Sequence, residues 1–166
     1  MRMKTRESFL ALIAELEGGY REYLRLMDQN GRAWKRIQEG ANDPIDWGAL
    51  AFTLHSAYGV LENYFLRISR FFENDLPPDR WHKSLVEHMA LDIPGLRPAF
   101  LADGSSKRLA LDLLKFRHRV RNLYGEDLDP RKTSDVQESA REFSRRFEAQ
   151  HAEFLAKLRA LAEGLA

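Results

Sequence analysis

A chain of 166 residues with 44% hydrophobic and 31% charged side chains is long enough to bury its own core, and it reads as one domain, 1–166. Zero cysteines exclude disulfides, thiolate metal sites and a cysteine nucleophile, and they fit a reducing compartment, by default the cytoplasm. A formal net charge of +1 excludes a general polyanion binder, so any nucleic-acid contact must come from a local patch, for which 115–132 is the strong candidate.

Long stretches free of Pro and Gly, without strand-like alternation, predict an all-α fold: an antiparallel bundle of four to six helices. The basic start at 1–6 runs into an interrupted amphipathic pattern, so neither a signal peptide nor a membrane span is expected. Ser8 is the expected cap of a first helix with Phe9, Leu12, Ile13, Leu16, Tyr20, Tyr23, Leu24 and Met27 on its apolar stripe. Asp28-Gln29-Asn30-Gly31 reads as a turn or helix end, which leaves 32–38 as a short helix or a continuation.

A break and cap at 42–46 precedes the central helix, 47–72, which is apolar over most of its circumference. Its polar exceptions include His55 and Glu62, which share a face with Gly59 between them, where a bare backbone would let another backbone or a substrate approach closely. Structurally, His55 could be a satisfied core histidine and Glu62 the partner of an arginine; functionally, both would support a site from behind. A short helix over 79–89 turns Trp81, Leu85, Val86 and Met89 inward, and the proline-rich 92–98 is an ordered loop.

After a cap in 103–106 comes the most informative stretch, 109–124. Leu109, Leu113, Phe116, Val120 and Leu123 form one apolar stripe; Arg108, Asp112, Lys115, Arg119 and Glu126 form a charged one beside it. The remaining arc mixes Ala110, Leu111 and Leu114 with Arg117, His118, Arg121, Asn122 and Tyr124. Leucines among cations are a poor free surface, so this arc is expected to meet another helix, a second copy of the chain, or both. Guanidinium holds phosphate, imidazole moves a proton near neutral pH, and amide and phenol orient or donate, so the kit suits phosphodiester chemistry without a metal or other cofactor.

The run Arg117-His118-Arg119-Val120-Arg121-Asn122-Leu123-Tyr124 resembles the Arg-x4-6-His signature of HEPN-domain ribonucleases, in particular the HepT-like toxins paired with a minimal nucleotidyltransferase. Trp81-His82 is similar to a pair seen in the same relatives. The family pattern commonly reads Arg-Asn-x-x-x-His-x-Tyr, whereas here His118 and Asn122 have exchanged places one helical turn apart. The resemblance implies a HEPN-like bundle that forms a homodimer through the motif-helix face, with two motifs in one cleft that cleaves RNA. In that scheme Arg117, His118 and Asn122 are catalytic, Arg121 and Tyr124 hold substrate, and His55 and Glu62 support them. Tyr124 also matches the tyrosine that the partner nucleotidyltransferase, acting as antitoxin, adenylylates. HEPN-like bundles that dock nucleotidyltransferases and cleave nothing are the alternative.

A stop at 125–130 ends the motif helix, and 133–135 caps a last helix with Val136, Ala140, Phe143, Phe147, His151, Phe154, Leu158 and Leu161 on one stripe. Glu148 and His151 make one Glu-x-x-His where a di-iron bundle needs two, so His151 is read as a core histidine.

Overall fold

The computed structural model describes residues 4–73, 81–122 and 128–165 and is an all-α bundle, with no strand among the described residues. Five helices follow one another: α1 (Arg6–Gln38), α2 (Pro44–Phe72), α3 (Trp81–Met89), α4 (Gly104–Arg121) and α5 (Pro130–Glu163).

The long helices start where side chains satisfy the first free backbone N–H groups. Thr5, not Ser8, caps α1; Ser8 is the third helical residue and its hydroxyl returns a bond to the Thr5 backbone, closing a capping box. Asp43 and Asp46 make the same arrangement on α2, with Pro44 in the first turn, where its missing N–H costs nothing. Asp103 caps α4. Asp129 caps α5 ahead of Pro130, so the last helix begins earlier than 133–135, and Thr133 is already buried within it.

The turn expected at Asp28–Gly31 does not form, because tertiary contacts outweigh the local turn propensity of these residues. Asn30 is buried in mid-helix, and its amide group bonds Thr53 Oγ1 at 3.0 Å and the Gln137 amide at 2.8 and 2.7 Å. The chain instead reverses after α1, where Gly40 takes a φ of 107° that an L side chain resists.

Contacts between α1 and α2 run in opposite senses: Arg36 meets Asp46, Asn30 meets Thr53, Glu15 meets Arg67, and Phe9 stacks edge-on against Phe72. Helix α5 lies antiparallel along α1 as well, through Gln137 to Asn30 and Ser144 to Tyr23. Phe147 is the hub of the core, touching the rings of Tyr20, Tyr23, Tyr64, Phe100 and Phe143. His151 sits in this core, bonded through Nδ1 to the Tyr64 hydroxyl at 2.8 Å and stacked on Tyr20.

The connection between α3 and α4 is ordered by Arg97, whose side chain is fully buried. It pairs with Glu73 at the end of α2, with Nε 2.7 Å from Oε1, and donates to the carbonyls of His88, Leu91 and Pro98. A short bridge between Ile93 and Arg97 closes the loop. The loop thus fastens the end of α3 to the end of the central helix.

On α4 the expected core stripe is correct for Leu109, Leu113 and Phe116, all buried, while Leu123 lies outside the described residues. Of the mixed arc, Ala110 and Leu114 are covered from within the same chain, buried where α4 packs into the bundle, while Leu111 is only partly buried. The burial of Ala110 and Leu114 therefore needs no second copy.

Candidate functional site

The site is built on one face of α2, where His55, Tyr58, Gly59 and Glu62 follow at helical spacing. The end of α4 lies across this face and the start of α3 flanks it.

Arg117 is the half-buried centre. Its guanidinium rests over Gly59 so closely that a Cβ there would come within 2.5 Å of Nη1. Glycine alone leaves this space, and what approaches closely at Gly59 is the Arg117 side chain, in place of the other backbone or substrate expected there. Its one bond among the described residues is long, Nη1 to the His55 carbonyl at 3.5 Å, and no described carboxylate lies within ion-pair distance. Among the described residues, most donors of this charge are thus unspent.

His55 is neither exposed nor satisfied: it is half-buried, and its Nδ1 finds no partner among the described residues. Burial, and then the charges of Arg117 and Arg121, hold its imidazole below the ordinary histidine range, so it is neutral beside the two cations. Tyr58 is fully buried, with a hydroxyl that has no partner among the described residues; burial and the nearby Glu62 push its ionisation up, leaving a neutral phenol.

Glu62 is buried, but its partner among the described residues is not an arginine. His82 Nδ1 lies 2.6 Å from Glu62 Oε2. The His82 ring stacks on Trp81, centroids 3.8 Å apart, and meets the His118 ring edge-on at 5.5 Å. The sequence offers no periodic signal for His82, since a single histidine at the start of a nine-residue helix belongs to no stripe. Tyr58 is likewise hidden, as one more apolar position of a helix apolar nearly all round.

His118 and Arg121 are exposed at the open side, and Arg121 is near enough for its charge to act on His55. Asn122 does not join the others through its amide N–H: Nδ2 donates to the His118 carbonyl at 2.8 Å and closes the end of α4. Tyr124, with the 125–127 stop, lies outside the described residues. The cations Lys115, Arg119 and Lys132 face another way, lining a cleft of about 270 Å³ between α4 and α5 with Asp112 and Asp135. That surface is mixed in sign, so the cationic part of 115–132 is divided between two faces.

No group of three or more potential metal-ligating side chains occurs among the described residues. The arrangement can still hold an anion at Arg117 and present imidazole nitrogens beside it. The sequence model of a family described as "HepT-like protein" matches residues 49–158, about two thirds of the chain, and spans every described residue of the site. Neither a curated protein nor a solved structure matches.

Proposed function

The chain belongs to the HepT-like family, and from that premise we propose that it is a metal-independent endoribonuclease, the toxin of a toxin–antitoxin pair. The observation that carries the reading is Arg117: a half-buried guanidinium seated on Gly59, without a described carboxylate partner, beside the imidazoles of His118 and His82. Arg117 grips the scissile phosphate and stabilises its developing charge. His118 moves a proton as the RNA 2′-hydroxyl attacks the adjacent phosphorus, and Arg121 holds a flanking phosphate. Asn122 orients His118 by closing the helix end beneath it. The neutral His55 sits behind Arg117 without competing for the phosphate as a second buried charge. Two copies facing each other across the open side of the motif helix form the working cleft, in the cytoplasm. No described helix is long and apolar enough to cross a membrane. A partner nucleotidyltransferase disarms the toxin by adenylylating Tyr124.

The test is cleavage of mixed tRNA and single-stranded RNA in EDTA by wild type, Arg117→Ala and His118→Ala, each checked for folding by circular dichroism. Wild type should cut RNA and spare DNA, and either variant should lose the activity. Cleavage by the Arg117 variant at the wild-type rate rejects the site. The commitment of the Asn122 amide N–H to its own helix favours a second reading, a docking subunit for the nucleotidyltransferase that cleaves nothing. Tight binding of such a partner with no cleavage by wild type would establish it.

A further inference from the structure

We infer that His82, held by Glu62, is the second proton-transfer group of this site and forms an acid–base pair with His118; the inference rests on the ribonuclease reading above. Glu62 is 5% exposed, and its one hydrogen bond among the described residues is the 2.6 Å contact to His82 Nδ1. A buried carboxylate only accepts, so the proton of a neutral His82 is on Nδ1 and the lone pair is on Nε2. The His82 side chain keeps 23% of its surface exposed, which leaves the ring reachable. A carboxylate behind one ring nitrogen does two things for a general base: it sets the tautomer, and it stabilises the imidazolium formed when the other nitrogen takes a proton. Trp81, stacked with an interplanar angle of 28°, holds the plane of the ring. Across from it, His118 stands at 86° with its centroid 5.5 Å away and no described carboxylate partner, so the two rings have unequal surroundings.

That inequality assigns the roles. His82 Nε2 takes the proton of the 2′-hydroxyl as the bond from O2′ to phosphorus forms. The bond from phosphorus to O5′ breaks, and O5′ receives a proton from the protonated His118 ring. The products are a 2′,3′-cyclic phosphate and a 5′-hydroxyl, and exchange with water restores both rings. Arg117 holds the non-bridging oxygens throughout. The family pattern's histidine is replaced here by Asn122, and His82 returns a second imidazole from a different helix. Glu62 is a positioning residue that acts through His82.

A structural tie between α2 and α3 would use the same pair, so the test separates the two. His82→Gln retains an amide donor for Glu62 but cannot transfer a proton. It should fold and melt like wild type yet lose cleavage on the order of 10²-fold or more in kcat. Glu62→Gln should lower kcat rather than raise KM, and ring ¹⁵N spectra should show His82 leaving the Nδ1–H tautomer. Uridine 3′-(4-nitrophenyl phosphate), whose leaving group needs no proton, separates base from acid: it should restore turnover to His118→Ala and not to His82→Gln. Wild-type rates in His82→Gln on RNA, or rescue of that variant by the activated substrate, overturn the inference while leaving the nuclease intact. Failure of wild type to cut either substrate removes the ribonuclease reading and the inference together.

Discussion

A single missing Cβ decides where the strongest charge of the site lies. Gly59 sits in mid-helix, where alanine is favoured over glycine by about 1 kcal/mol, and the site keeps glycine because Arg117 occupies the space. Gly59→Ala separates stability from function. The methyl group would meet the far end of a flexible side chain, so the helix should gain rather than lose stability while the guanidinium is displaced. We expect a melting temperature equal to or above that of wild type. RNA cleavage should fall by roughly ten- to a hundredfold, the scale of a misplacement of about 1 Å. Calorimetry and a cleavage assay on the same preparation check both, and unchanged cleavage would mean that Arg117 need not lie where it does.

At the scale of elements, the site depends on a loop that contains none of its residues. Helix α3 carries His82, has nine residues and buries only Leu85, Val86 and Met89, too few to hold its position alone. Arg97 fixes it by donating to the Glu73 carboxylate at the end of α2 and to the carbonyls of His88 and Leu91 at the end of α3. Arg97→Leu leaves Glu73 and these carbonyls without their partner. Loss of one member of a buried pair costs about 3 to 5 kcal/mol, which a urea titration should show as a lower midpoint. The same variant at low urea should lose the edge-on contact of His82 with His118, visible as changed histidine ring shifts. A midpoint within error of wild type would show that the pair is dispensable.

Across the whole molecule, two histidines couple stability to acid. Burial holds both His55 and His151 below the ordinary value of 6.5 in the folded chain; Arg117 and Arg121 add to the effect at His55, whereas at His151 Glu17 opposes it and Arg159 adds to it more weakly. A group with a depressed folded pKa binds its proton more tightly when unfolded, so the stability it contributes is complete above about 6.5 and lost as the pH falls below it. The melting temperature should therefore fall between pH 7.5 and 5, and His151→Gln, which can still bond Tyr64, should flatten that slope. A flat profile in wild type would show that neither imidazole is held neutral.

Much of this was legible in the sequence. The helical repeat, the long apolar face of the central helix and the core stripe at Leu109, Leu113 and Phe116 follow from spacing alone, since a 3.6-residue period and a buried face imply each other. The chemical kit at 117–122 was also legible, as was the face shared by His55, Gly59 and Glu62, because all of these lie within single helices. Local signals failed where distant partners outweighed them: Asn30 reads as a turn residue until Thr53 and Gln137 hold it in a helix. Leu114 of the arc asks for a cover that its spacing leaves open between another helix and a second copy, until the bundle of its own chain buries it. Only the tertiary structure could bring His82 to Glu62 from 20 residues away and set it against His118, 36 residues further on. Sequence periodicity reports which face of a helix is buried; which polar groups meet across helices depends on packing, and packing is a property of the assembled bundle.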